Sequence, residues 1–130
     1  MKQIMIGLLA VMILAACGGG ASASIEGGWK LVSYNGIHAV ANVETTIEFK
    51  DGQMSGNVGC NGFGGGYSMD GDTITFDPVE STLMFCEDPV GEQELGVFGA
   101  LQGATKFALD GILLTITSED GSSSIVLELK

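Results

Sequence analysis

Thr45-Thr46-Ile47-Glu48-Phe49-Lys50-Asp51-Gly52-Gln53-Met54-Ser55-Gly56-Asn57-Val58 reads as a β-hairpin. Ile47 and Phe49 alternate with Glu48 and Lys50, the period of a strand with one buried face. Asp51-Gly52 is a pair that tolerates the positive φ angles of a two-residue hairpin turn. The same pattern recurs on both sides. Trp29-Lys30-Leu31-Val32-Ser33-Tyr34 reads as a strand and is followed by the turn pair Asn35-Gly36. Tyr67-Ser68-Met69 leads through Asp70-Gly71-Asp72 into Thr73-Ile74-Thr75-Phe76, and Ser81 to Cys86 reads as a further extended run. Lys106 to Leu109, the turn Asp110-Gly111 and Ile112 to Thr117 repeat the hairpin, and Glu119-Asp120-Gly121 turns into Ser124 to Leu129. About eight short strands at regular spacing imply a mainly β fold, a compact antiparallel barrel or sandwich.

One segment departs from this pattern. Asp88 reads as a helix cap with Pro89 at the first helical position. Glu92 and Glu94 lie near the positive end of the helix dipole. Leu95, Phe98 and Leu101 fall three apart as an apolar stripe. Gly96, Gly99 and Gly103 each cost about 1 kcal/mol of helix propensity against alanine, so this inserted helix must depend on packing. The acidic pairs Glu87-Asp88 and Glu92/Glu94 read as solvated faces.

Between the hairpin and the next strand lies Gly59-Cys60-Asn61-Gly62-Phe63-Gly64-Gly65-Gly66-Tyr67. So many glycines allow positive φ or close backbone approach, which reads as a tight, bulged connection. Asn61 tolerates the left-handed region and can bond nearby backbone. Phe63 and Tyr67 would anchor the connection by burying their rings.

The chain begins with a short cationic start, Met1-Lys2, followed by an uncharged apolar run from Ile4 to Ala16. The run falls short of the roughly 20 apolar residues that span a bilayer and suits a signal-peptide core. It ends in Leu14-Ala15-Ala16-Cys17, which resembles a bacterial lipobox. That resemblance implies cleavage before Cys17 and acylation of its thiol, and two or more acyl chains at about 0.8 kcal/mol per buried methylene make a stable anchor. Gly18-Gly19-Gly20-Ala21-Ser22-Ala23-Ser24 carries no large side chain and reads as a flexible tether. The expected organisation is a lipoprotein signal peptide at 1–16, the lipidated Cys17 and tether at 17–27, and one domain at 28–130. Glycines after Cys17, with no Asp at 18, resemble lipoproteins sent to the outer membrane of double-membraned bacteria, facing the periplasm.

The 130 residues include five lysines, no arginine and sixteen acids, a net charge of −11. Loss of Lys2 with the leader (−11 − 1) leaves −12. Such a surface repels phosphate backbones, so no nucleic-acid partner is expected, and anionic lipid headgroups are equally poor partners. Besides Cys17 the chain has only Cys60 and Cys86, 26 positions apart. In an oxidising exported compartment such a pair reads as a disulfide. Closing that loop contributes roughly 3–4 kcal/mol by the chain-entropy model.

Gly59, Cys60, Asn61, Phe63, Gly65 and Tyr67 form the pattern Gly-Cys-Asn-x-Phe-x-Gly-x-Tyr, and Thr82, Met84 and Cys86 form Thr-x-Met-x-Cys. Together with Trp29-Lys30-Leu31, Glu94 and Leu101, these motifs resemble the META domain family, also called HslJ-like, over residues 28–129. One departure is Gly62, where many members carry arginine or another long polar residue. The resemblance implies a small lipocalin-like antiparallel barrel with one helix. It also implies a bacterial envelope protein linked to stress, including heat and antibiotic tolerance, with no established catalytic activity.

Sharper chemistries find little support in the residues. Gly62 to Gly66 lacks the Lys-Ser/Thr ending of a phosphate loop. His38 is the sole histidine, so zinc would need it together with Cys60, Cys86 and a carboxylate. Asp70, Asp72, Glu119 and Asp120 do not form a calcium-loop pattern. The expected function is therefore non-enzymatic, without metal or cofactor: a membrane-tethered envelope lipoprotein with a stress-related binding or protective role. Two alternatives stay open, a thiol redox enzyme or sensor using Cys60 and Cys86, and a small-molecule carrier holding a ligand in the barrel.

Overall fold

Residues 24–130 are described by a computed structural model of the chain. The expected leader, Cys17 and the tether as far as residue 23 lie outside the described residues. The elements in order are β1 (Gly27–Tyr34), β2 (Ile37–His38), β3 (Thr46–Lys50), β4 (Gln53–Asn57), β5 (Gly62–Asp70), β6 (Thr73–Phe76) and β7 (Glu80–Ser81). Then follow α1 (Val90–Ala100), β8 (Gly103–Asp110), β9 (Leu113–Ser118) and β10 (Ser124–Leu129).

The quoted hairpin forms as β3 and β4, with Ile47 opposite Gly56 and Phe49 opposite Met54. Asp51 and Gly52 turn it at φ of 51° and 76°, the positive values that Gly adopts without steric cost. Eight strands run antiparallel in the order β10-β9-β8-β6-β5-β4-β3-β1, and β1 pairs β10 to close the barrel. Closure removes the open edges that an eight-stranded sheet would otherwise expose. The two-residue strands β2 and β7 pair β1 and β5 from outside this ring.

The interior is filled. Trp29, Leu31, Ile47, Phe49, Met54, Ile74, Phe76, Leu114, Ile116, Ile125 and Leu127 are all buried in one cluster. Phe49 meets Tyr67 edge-on, with ring centroids 5.2 Å apart. Ile25 is also buried, and its carbonyl accepts a 2.8 Å bond from Trp29 Nε1. Packing therefore begins at Ile25, inside the 17–27 stretch read as tether, because the indole needs an acceptor from the chain just before β1.

Three expectations are corrected. The glycine-rich segment is not a bulged connection: Gly62 to Asp70 is the nine-residue strand β5, paired with β4, β6 and β7. Glycine serves here for close approach, since a Cβ on Gly64 would lie 2.9 Å from the Met54 carbonyl oxygen of β4. The extended run is a strand only at Glu80–Ser81, and Thr82 to Cys86 has no regular structure. The helix starts at Val90 with Pro89 as the cap residue, and Asp88 contributes by accepting from Glu92 N–H at 3.1 Å.

The helix face also differs from the expected stripe. α1 buries Gln93, Glu94, Val97 and Ala100, with Leu101 buried just beyond it, while Leu95 is 73% exposed. The cause is the pair of helix glycines on the inward side. Gly96 lies against the Tyr34 ring and Gly99 against Ser123, so the helix can lie flat where a larger residue would hold it off. Phe98 meets Phe63 edge-on at 5.0 Å. Tyr34 ends β1, Ser123 precedes β10 and Phe63 is the second residue of β5, so α1 lies across one end of the barrel.

Candidate functional site

The polar centre of the molecule sits where α1 meets the start of β5. Asn61 directly precedes β5, is buried, and engages several partners at once. Its main-chain N–H donates to Glu94 Oε1 at 2.8 Å, and its Nδ2 donates to Glu94 Oε2 at 2.8 Å. Its Oδ1 accepts from Thr82 Oγ1 and from Met84 N–H, each at 2.8 Å. Nδ2 also reaches the Met84 carbonyl at 3.2 Å.

The register explains this pattern. Phe63 opposes Ser81 and Gly64 opposes Glu80, and the Thr82 N–H donates to Gly62 O at 3.0 Å. Continued one step, the ladder would pair Met84 with Cys60. The Asn61 carboxamide takes that place, offering Met84 both an acceptor and a donor as a peptide group would. Thr82 and Met84 are thus tied to the barrel without a regular strand.

Cys60 and Cys86 are joined by a disulfide, with Cα atoms 6.1 Å apart. The bond fastens the far end of the segment that Asn61 holds in the middle. Glu94 Oε2 lies 3.5 Å from Cys86 Sγ, so the carboxylate touches both fasteners. Beside it, Gln93 is fully enclosed: Oε1 accepts from Val40 N–H at 2.7 Å and Nε2 donates to Val58 O at 2.8 Å. Every buried side-chain polar atom among the described residues has a partner, so this network is closed rather than poised for a ligand.

The structure brings Cys60, Asn61, Thr82, Met84 and Cys86 together, whereas Phe63, Gly65 and Tyr67 serve the barrel wall and Gly59 lies at φ 123° beside Val43 and Val90. Cys17 lies outside the described residues. His38 is exposed on β2 and makes no bond to this cluster. Glu94 is the residue whose reading changes most. As one of an acidic pair it looked solvated, yet it is only 6% exposed and accepts two bonds. Gln93 gave no signal at all. Glu94 is marked in the sequence only through the family resemblance, and the further hint for both is position: they fall on the helix face that carries Val97 and Ala100.

A groove of about 740 Å³ opens on the outer side of β3, β4, β5 and β7. Glu48, Ser55, Asn57 and Glu80 line it, and Gly62 and Gly64 leave its floor bare. A Cβ on Gly62 would meet nothing within 4 Å, so the missing long side chain widens the groove without touching the fold. The barrel interior, by contrast, holds apolar side chains where a carried ligand would sit.

Fold and site define a class: a small closed antiparallel barrel, capped by one helix, with an asparagine brace to that helix and a disulfide to the segment before it. The chain belongs to the META domain family, whose model matches residues 23–130. The family is not known for an enzymatic activity. A comparison with curated proteins finds no match. Among solved structures, one determined by NMR is 21% identical, with a TM-score of 0.67, covering 80% of this chain and 89% of its own. An NMR structure from Burkholderia xenovorans is 18% identical, with a TM-score of 0.64 and coverage of 81% and 82%. The crystal structure of a DUF4847 family protein from Bacteroides vulgatus is 17% identical, with a TM-score of 0.55 and coverage of 81% and 93%. At these identities the likeness is one of fold.

Proposed function

We propose that this is a non-enzymatic lipoprotein of the bacterial cell envelope, anchored through acylated Cys17 and exposing the barrel to the periplasm, where it has a stress-related binding or protective role. The observation that carries the reading is the apolar leader ending in Leu14-Ala15-Ala16-Cys17. The Cys60–Cys86 bond agrees with it, because disulfides persist in exported compartments and are rare in the cytosol. Outer-membrane attachment follows from the glycines after Cys17 if the host has two membranes. A non-catalytic role is supported by the brace, where the polar atoms engage one another rather than converge on an empty position.

The redox alternative is disfavoured by the same geometry. A reactive thiolate needs electropositive surroundings, and the carboxylate of Glu94 stands 3.5 Å from Cys86 Sγ. A reduction potential below about −300 mV for the pair is expected of a structural bridge. The carrier alternative meets a filled interior.

Mass spectrometry of the protein extracted from membranes tests the anchoring. The expected N-terminus is Cys17 carrying diacylglycerol. An unmodified Cys17, or a mature chain beginning elsewhere, overturns it.

A further inference from the structure

The segment that the brace holds exposes what proteins usually hide. Leu83 is 94% exposed, Met84 60% and Phe85 88%. Three consecutive large apolar residues in water are costly. A loose loop could fold them back against the barrel, but this one is pinned. Thr82 is tied by its N–H and hydroxyl, Met84 by its N–H and carbonyl, and Cys86 by its disulfide. Anchors at every second residue hold the backbone in place, and the ladder alternation leaves the intervening residues without a main-chain partner on the barrel.

Those alternate residues are Leu83 and Phe85. Among the described residues, neither main-chain N–H is bonded, nor is the Leu83 carbonyl, and the Phe85 carbonyl faces only the bridged Cys60 sulfur at 3.8 Å. β7, like β2, is paired on one side only, and the run from Thr82 to Phe85 continues its unpaired edge past the last ladder bond, Thr82 N–H to Gly62 O. Such an edge is a template for a further strand.

We propose that this edge, resting on the binding role inferred above, captures extended polypeptide segments of apolar and basic character by strand addition. Pairing with Leu83 and Phe85 supplies main-chain bonds, and the exposed side chains at 83–85 supply apolar contact. Charge selects the guest. Glu80, Glu87, Asp88 and Glu92 flank the edge and are exposed, and Glu48 and Glu80 line the adjoining groove. A second copy of this chain would bring the same acidic rim to the contact, and an anionic membrane would be repelled likewise. A guest alternating apolar with lysine or arginine satisfies the edge, the ridge and the rim together.

The probes are two fluorescein-labelled nine-residue peptides, one alternating leucine with lysine and one alternating leucine with glutamate, titrated by anisotropy into the full mature lipoprotein in detergent micelles. The lysine peptide is expected to bind, to weaken with added salt, and to shift the amide resonances of residues 80–86. The glutamate peptide should bind at least tenfold more weakly. Two variants separate the terms. Leu83→Pro removes an N–H that makes no bond within the protein and places a ring on the edge; it should abolish binding. Leu83→Ser with Phe85→Ser keeps the edge but removes the ridge; it should weaken binding tenfold or more. Both alter exposed side chains, so an unchanged melting temperature shows that the fold persists. Absence of binding to the oxidised, folded protein overturns the proposal, as do equal binding of both peptides and indifference to Leu83→Pro. Self-association through residues 81–85, seen by sedimentation, overturns it in favour of a second copy. None of these results bears on the lipid anchor, which mass spectrometry of Cys17 decides separately.

Discussion

At Asn61 the main-chain N–H, the carboxamide oxygen and the carboxamide nitrogen are all engaged, and Asn61→Ala removes the side-chain bonds together. Glu94 Oε2 would lose its closest donor in a buried place, so the expected loss is about 2–4 kcal/mol, beyond what one surface hydrogen bond contributes. Urea unfolding with the disulfide intact measures it, and a loss below about 0.5 kcal/mol would mean that water replaces the brace. Asp120 offers a contrast at the surface. The Ser122 hydroxyl and N–H, then the Ser118 hydroxyl, donate to its carboxylate and hold its pKa down at about 2 from 3.8. A depressed pKa means the charged form is favoured on folding. The contribution is therefore present above the unfolded value and disappears as pH falls through the folded one. The melting-temperature difference between the parent and Asp120→Asn should be constant above about pH 5 and shrink towards pH 2. A difference that persists unchanged at pH 2 would show that the three donors do not act on the charge.

At the scale of elements, the helix tests whether glycine was selected for fit. A Cβ on Gly96 would drive into the Tyr34 ring, a rigid group fixed in the core, whereas one on Gly99 would meet Ser123 Oγ at 2.7 Å, a hydroxyl free to rotate. Alanine gains about 1 kcal/mol of helix propensity at either position. Overpacking costs typically about 1–3 kcal/mol, so Gly96→Ala should destabilise by about 1–2 kcal/mol while Gly99→Ala is neutral or slightly stabilising. Thermal unfolding of the two variants checks the order, and equal effects would refute the fit argument. The same helix shows what was legible in the sequence. Turns were, because Asp51-Gly52 and Asp110-Gly111 carry their own backbone requirement, and the flanking strands followed from alternation. The buried face of α1 was not, because beside Val97 and Ala100 its contact side holds Gly96, Gly99 and two polar residues, Gln93 and Glu94, which no apolar count reveals. Strand β5 was obscured for the related reason that its pairing depends on side chains being absent. The buried, bonded state of Glu94 became readable only once Asn61 stood opposite it, a pairing 33 residues apart in sequence.

For the whole molecule, the barrel closes through main-chain ladders alone, but the cap and the exposed edge depend on the Cys60–Cys86 bond. The bond joins the start of β5 to the segment just before α1, two places that share no ladder bond of their own beyond Thr82. Removing it with Cys60→Ser and Cys86→Ser frees a 26-residue separation in the unfolded chain and leaves the barrel strands paired. The expected loss is about 2–5 kcal/mol, a large part of the roughly 5–15 kcal/mol of a domain this size. The loss should be uneven. Hydrogen exchange should accelerate first at Met84 and in the first turn of α1, where the Asn61 and Asp88 bonds lose their neighbouring clasp, and last in β3, β9 and β10, where the buried ladders are untouched. A double variant that melts like the parent, or one whose β9 and β10 amides exchange as early as Met84, would show that the clasp does not localise stability at the capped end. Uneven loss would tie the exposed edge to the disulfide: reduction would release the run from 82 to 86 while the barrel itself stayed folded.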